Sequence, residues 1–187
     1  MAQGIILAAG YASRAASNKM LFELDGKTIL EHAIDGMRPF VSHIFVVTGH
    51  YEPSISAKLK GLPNITTVHN ASYHLGMFSS VQKGVFMVSE SFFILPGDCP
   101  FVSKKTYLRL LSGSKPIRVP SHQHQRGHPL WIDIDFKDAL LAEHSTSNLK
   151  VFRNKHDFET IEMNDPNILL DIDTCEDFIK INENRKE

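Results

Sequence analysis

Four charged residues in this chain are of the types that handle phosphate. Arg14 and Lys19 stand five positions apart in "GIILAAGYASRAASNK" (residues 4–19), Asp98 closes "FFILPGD", and Asp173 lies in "ILLDID". Two cations on a loop that follows an apolar run can join backbone N–H groups around a triphosphate. Two carboxylates are what Mg²⁺ commonly takes from a protein, the remaining ligands being water and substrate phosphate oxygens. Each residue alone has an ordinary explanation. Exposed Arg and Lys are common. An Asp after a Pro-Gly turn often bonds its own backbone. An Asp just ahead of a helix favours the helix dipole by about 0.3–1 kcal/mol. Together they favour phosphoryl or nucleotidyl transfer. The sequence holds neither G-x-G-x-x-G nor G-x-x-x-x-G-K-[ST], which disfavours a dinucleotide oxidoreductase and a P-loop NTPase.

The bulk composition is compatible with such an enzyme. The 187 residues, 42% hydrophobic and 22% charged, suit a single domain over residues 1–187. A formal net charge of -1 argues against nucleic acid or an anionic membrane as the main partner. No apolar run approaches the roughly 18 residues needed to span a bilayer. "MAQGIILAAG" has no basic region ahead of its apolar stretch, so no signal peptide is expected, and two Cys make no disulfide framework. A cytoplasmic location is expected.

Elements that would position the four residues follow from periodicity. "GIILAA" (4–9), "HIFVVTG" (43–49), "ITTVHN" (65–70) and "FFILPGD" (92–98) read as strands. Between them come helix-like segments. Thr28 and Glu31 form a capping box ahead of an Ile29, Leu30, Ala33, Ile34 and Met37 stripe that stops before Pro39. A short helix is expected at 53–60, another over 77–88 with Val81, Val85 and Val88 on one face, and one capped by Ser103 carrying Leu108 and Leu111. Further strands are expected at "IRVPSH", "HPLWIDI", "FETIEM" and "ILLDID", two short helices over roughly 136–155, and a last helix capped by Thr174 with Asp177. The alternation implies an α/β fold, a mostly parallel sheet covered on both faces, with region 116–163 adding an antiparallel excursion at one end. Ligands of such sheets bind beyond the strands' carboxyl ends. Gly10, Asp98 and Asp173 would then share one rim.

At this point the chain resembles a known family. "LAAGYASRAASNK" is similar to the L-A-A-G-x-S-x-R-M-G-x-x-K signature of the MobA-like NTP transferases. "VHNASYHLGMFSSVQKG", "LPGDCPFVS", "RGHP" and "ILLDIDTCEDF" resemble the family's remaining motifs in order, and within the family the molybdenum cofactor cytidylyltransferases are most similar. The resemblance implies a single-domain three-layer α/β/α fold with a Rossmann-like sheet, of nucleotide-diphospho-sugar transferase type. It implies transfer of CMP from CTP to the terminal phosphate of molybdopterin, with Mg²⁺ as cofactor and a molybdoenzyme or maturation factor as protein contact. The backbone of Leu7, Ala8, Ala9 and Gly10 would lie along the nucleotide. Arg14 would meet the β- and γ-phosphates and Lys19 the α-phosphate, with Arg14, Lys19 and Asp98 catalytic. Asn70, Gly76, Ser79 and Ser80 would read base and ribose, Asp98 and Asp173 would hold Mg²⁺, and His128 would face the acceptor.

Three departures from the family pattern stand out. Ala15-Ala16 replaces Met-Gly, and alanine allows positive φ only at a cost, so nucleotide binding is expected to be weaker or the loop differently arranged. Cys99 stands for Met and Cys175 for Pro; both read as small apolar fillers. Alternation at His122 and His124 would place both on one strand face, but with His128 they follow no strong zinc motif. Trp131 reads as core. Alternatives within the chemistry are GTP as donor, or a sugar, cobinamide or polyol phosphate as acceptor. Outside it stands a nucleotide-binding accessory protein without turnover.

Overall fold

The computed structural model describes residues 2–10, 18–144, 146–172 and 174–184. In chain order the elements are β1 (Ala2–Ala8), β2 (Glu23–Leu24), β3 (Lys27–Thr28), α1 (Ile29–Met37), β4 (Val41–Thr48), α2 (Glu52–Leu59), β5 (Ile65–His69), α3 (Met77–Met87), β6 (Phe92–Pro96), α4 (Lys104–Leu111), β7 (Ile117–His122), β8 (Gln125–Arg126), β9 (Leu130–Ile132), α5 (Lys137–Ala142), α6 (Leu149–Asn154), β10 (Phe158–Glu162) and α7 (Cys175–Asn184).

β1 is buried along its whole length. A strand without a polar face needs partners on both edges and helices on both faces. Parallel β4 and β6 supply the edges, and the full order is β10-β7-β9-β6-β1-β4-β5, with β8 on β7. Alternate β1 side chains enter two cores. Ile6 and Ala8 pack with α1, α2 and α4 through Leu30, Met37, Ile55 and Tyr107. Ile5 and Leu7 pack with α3, α5 and α6 through Val81, Val85, Leu140 and Phe152. The three-layer α/β/α expectation therefore holds. β9 runs antiparallel to both β6 and β7, so β7 and β10 again point the same way as β6. Consequently the carboxyl ends of six strands, β1, β4, β5, β6, β7 and β10, and the beginning of β9 share one rim.

Both expected capping boxes form. Thr28 Oγ1 accepts from the Glu31 N–H at 3.2 Å and the Glu31 carboxylate accepts from the Thr28 N–H at 2.8 Å; Thr174 and Asp177 repeat the exchange at 3.1 and 2.9 Å. The α1 stripe is buried at every expected position.

Four details differ from expectation. Residues 168–172 of "ILLDID" are not a strand: Asp165 accepts from the Asn167 N–H and starts a 3-10 turn at Pro166–Leu169, which buries Ile168 and then Ile172 at a spacing of four rather than two. On α4 the buried face is Thr106, Tyr107 and Leu110, while Leu108 is 56% exposed, because Tyr107 seats its ring between Phe40 and Phe93. His122 and His124 do not share a strand face: β7 ends at His122, and Gln123 and His124 take positive φ (49° and 65°) in the turn to β8. The β2–β3 hairpin was not expected, although Asp25-Gly26, at φ 52° and 77°, is the usual two-residue hairpin signal. Trp131 is core, as expected, with the Arg118 guanidinium 3.7 Å from its ring centre.

Candidate active site

Lys19 reaches the rim because its neighbours fix it there. Asn18 caps a short 3-10 turn, its side chain accepting from the Met20 N–H at 3.2 Å. Met20 is buried in the first core, so Lys19 points away from it. Asp98 is fixed from the other side. The Gly97 N–H bonds the Leu7 carbonyl at 2.9 Å, tying the turn after β6 to the end of β1, and Cys99 N–H closes the turn on Pro96 at 3.2 Å. The two converge: Lys19 Nζ donates to Asp98 Oδ2 at 2.8 Å, with both side chains 16% exposed. The turn-Asp explanation does not describe Asp98. Among the described residues its carboxylate accepts from Lys19 and, at 3.8 Å, from the Cys99 thiol, and from no backbone N–H.

The segment bearing the second expected carboxylate approaches the same turn. The Ile172 N–H donates to the Asp98 carbonyl at 3.0 Å. Asp173 itself lies outside the described residues, as do Arg14, Ala15 and Ala16. Asp171 is close enough that its charge, after burial and the Asp98 charge, pushes the Cys99 thiol up. Cys99 is thus a buried neutral thiol, the filler that its position suggested. An acidic turn that carries Asp98, with Asp171 near it, supplies the hard oxygen donors that an Mg²⁺-type ion takes. Among the described residues no group of three His, Cys, Asp or Glu gathers, so the zinc-like reading of the His122 region has no support.

Leu7, Ala8 and Ala9 are buried at the end of β1, and Gly10 is exposed, a Cβ there meeting nothing within 4 Å. Beside them Gly49 ends β4; a Cβ there would come to 2.5 Å from the Ala9 carbonyl, so glycine is needed for this close approach. Gly76 opens α3 at φ 103°, ψ 174°, a conformation suited to glycine, and no side chain caps the first turn. Asn70, 4% exposed, ties this helix start to the end of β5. Its Nδ2 donates to Ser79 Oγ at 3.0 Å and Ser80 Oγ at 2.9 Å, its Oδ1 accepts from the Ser72 N–H at 3.0 Å, and its own N–H bonds Thr48 O at 2.8 Å. Asn70 and Ser80 therefore position the helix start, and Ser79 Oγ also reaches the Gly76 carbonyl at 2.8 Å.

His128 joins the rim because β9 runs antiparallel. Its N–H bonds the Ile168 carbonyl at 2.9 Å. Burial draws its pKa down while the Asp98 charge opposes this, and its buried Nδ1 has no partner among the described residues. The sequence did not single out His50 and Tyr73, which meet over the Gly49 turn with Nδ1 and Oη 3.3 Å apart; the signal was a His two residues past the carboxyl end of β4.

The rim thus carries a cation–carboxylate pair, a glycine-opened helix start and a close approach of Gly49 to Ala9. The family model described as the MobA-like NTP transferase domain matches residues 4–160. The chain is 30% identical over 185 residues to the molybdenum cofactor cytidylyltransferase of Escherichia coli, covering 98% of this chain and 96% of that protein. A nucleotidyl transferase from Methanothermobacter thermautotroptrophicus superposes with a TM-score of 0.84 at 21% identity, covering 100% and 99% of the two chains. Rv0371c from Mycobacterium tuberculosis, solved in complex with manganese, superposes with a TM-score of 0.76 at 21% identity, covering 97% of each. At that identity the two structures speak for the fold alone. The chain belongs to the MobA-like NTP transferase family and is a nucleotidyltransferase.

Proposed function

We propose that this member of the MobA-like NTP transferases moves CMP from CTP onto the terminal phosphate of molybdopterin, releasing pyrophosphate, with Mg²⁺ as its metal. The observation that carries the reading is the Lys19–Asp98 pair at 2.8 Å on the carboxyl rim of β1 and β6. The 30% identity over nearly the whole chain supports the choice of CTP and molybdopterin, which come from the relative's activity.

In this reaction an acceptor phosphate oxygen forms a bond to the α-phosphorus of CTP, and the bond from that phosphorus to the pyrophosphate oxygen breaks. Such transfer depends on positioning and charge neutralisation rather than on a protein nucleophile. The Lys19 ammonium neutralises charge growing on the α-phosphate, and Arg14 forks onto the β- and γ-phosphates. The backbone of Leu7 to Gly10 lines the nucleotide. The Gly76–Ser80 stretch, braced by Asn70, presents the positive end of a helix to base and ribose. His128, whose pKa burial lowers, faces the acceptor. Asp98, with Asp173, would hold Mg²⁺, which polarises the phosphorus when bound.

Pyrophosphate release tests the reading. With Mg²⁺ and molybdopterin, CTP is expected to support release and GTP, ATP and UTP to support far less. Release with CTP and a sugar or polyol phosphate but not molybdopterin would move the proposal to another acceptor. Silence with every donor and acceptor would end it.

A further inference from the structure

A second groove lies away from the Lys19–Asp98 pair, at the far edge of the sheet. It has a volume of about 770 Å³ and is lined by Ser121, His124, Arg126, Lys150, Arg153, Thr160 and Glu162. These come from β7, the turn before β8, β8 itself, α6 and β10. β10 is three strands from β6 in the sheet order, which puts the groove about 14 Å across the sheet at ~4.8 Å per strand. The volume is that of a small-molecule site.

Its charge is unbalanced. Arg126, Lys150 and Arg153 have no carboxylate within ion-pair distance among the described residues. Lys155, one residue past α6, is paired with Glu143 at 2.7 Å. Glu162 is the groove's one carboxylate, and both its oxygens are engaged: Oε2 accepts from Ser121 Oγ at 2.5 Å and Oε1 from the Gln123 N–H at 2.7 Å. Arg153 is only 6% exposed, yet among the described residues its guanidinium bonds nothing more charged than the Asn154 side-chain oxygen at 3.2 Å. The Arg126 and Arg153 guanidiniums lie 5.2 and 5.1 Å from the centre of the same Phe158 ring. Burial, and then the Arg126 charge, lower the Arg153 pKa. A buried guanidinium beside a second one, with no anion, is unfavourable by itself. A ligand carrying several charged oxygens would relieve it, since guanidiniums bind phosphate through forked, charge-assisted hydrogen bonds.

The geometry points to a second, phosphate-binding groove in which Arg126, Arg153 and Lys150 hold a small polyanion bearing phosphate groups. The anion has two possible sources, an outlying anionic group of the acceptor or a free anion such as pyrophosphate. Calorimetry with inorganic pyrophosphate, without Mg²⁺, tests it on the Arg14→Ala, Lys19→Ala chain, which lacks both cations assigned to the nucleotide phosphates. This variant is expected to bind pyrophosphate. Adding Arg126→Gln with Lys150→Gln, both at exposed positions, is expected to weaken binding at least tenfold with an unchanged Tm. Adding Lys58→Gln, on the opposite half of the sheet, is expected to change nothing. No binding to the Arg14→Ala, Lys19→Ala chain, binding indifferent to Arg126 and Lys150, or equal weakening by Lys58→Gln would each overturn the groove. Steady-state kinetics on the Arg126→Gln, Lys150→Gln chain then separate the sources. A KM raised severalfold for acceptor but not for NTP assigns the groove to the acceptor; both KM values unchanged assign it to a free anion. The calorimetric arm reads binding without turnover, so it stands even where the proposed transfer reaction fails.

Discussion

The Lys19 ammonium donates to Asp98 Oδ2 across 2.8 Å and 79 residues of sequence, joining the loop after β1 to the turn after β6. A cation and a carboxylate held this way at the carboxyl ends of adjacent parallel strands form the centre from which the remaining roles are assigned.

Asp98→Ala removes the carboxylate and leaves the turn's backbone bonds to Leu7, Pro96 and Ile172 in place. Turnover is expected to fall by on the order of 10² or more, the usual effect of deleting one charge-stabilising group. Tm is expected to change little, because the side chain is at the rim. Wild-type turnover in this variant would remove Asp98 from the reaction.

Lys19→Ala separates transition-state from ground-state roles. A fall in kcat with a smaller change in KM for CTP is expected. A raised KM at unchanged kcat would mean that Lys19 only binds nucleotide. Since Met20, rather than Lys19, is buried in the core, the fold is expected to survive.

Asn70→Ala acts on the helix start instead. It strips the partners from Ser80 Oγ and the Ser72 N–H, so a loss of about 1–3 kcal/mol in unfolding free energy is expected, with a raised KM for CTP. Chemical denaturation and kinetics check the two effects. Unchanged stability would show that Asn70 braces nothing.

Asp165 sets an acid limit on stability. Burial would raise its pKa, but the Thr106 hydroxyl, donating at 2.6 Å, and the Ser103 N–H, at 2.9 Å, outweigh burial and hold it below the ordinary 3.8. The unfolded chain therefore takes the proton first as pH falls. The contribution is full above pH 3.8 and fades as pH drops from there through the folded pKa. Asp165→Asn is expected to lower Tm at pH 7 and to flatten the acid limb of a Tm–pH curve. An acid limb as steep as wild type would show that Asp165 does not set it.

The sequence was informative where one physical pattern dominated. The buried strands, the α1 stripe and both capping boxes could be read directly, because each residue there serves packing or a cap alone. The rim followed from parallel strands ending in Gly10 and Asp98. Pairings across long separations were not visible: nothing local says that Lys19 should bond Asp98, or that Ile172 should reach its carbonyl. "ILLDID" misled because its apolar run suits a strand, while Asp165 and Pro166 favour a turn that fixes a different spacing. α4 offered two apolar stripes, and only Phe40 and Phe93, distant in sequence, select the one with Tyr107. Arg126 lies on β8 and Lys150 and Arg153 on α6, more than twenty residues away, so the groove exists only after folding.

The most direct measurement follows the α-phosphate of CTP. With CTP radiolabelled at that position, Mg²⁺ and molybdopterin, the label is expected to move into a molybdopterin–CMP product as pyrophosphate appears, and to stay in CTP with Asp98→Ala. Label released as free CMP, or transferred equally well by the Asp98→Ala chain, would contradict nucleotidyl transfer at the Lys19–Asp98 rim.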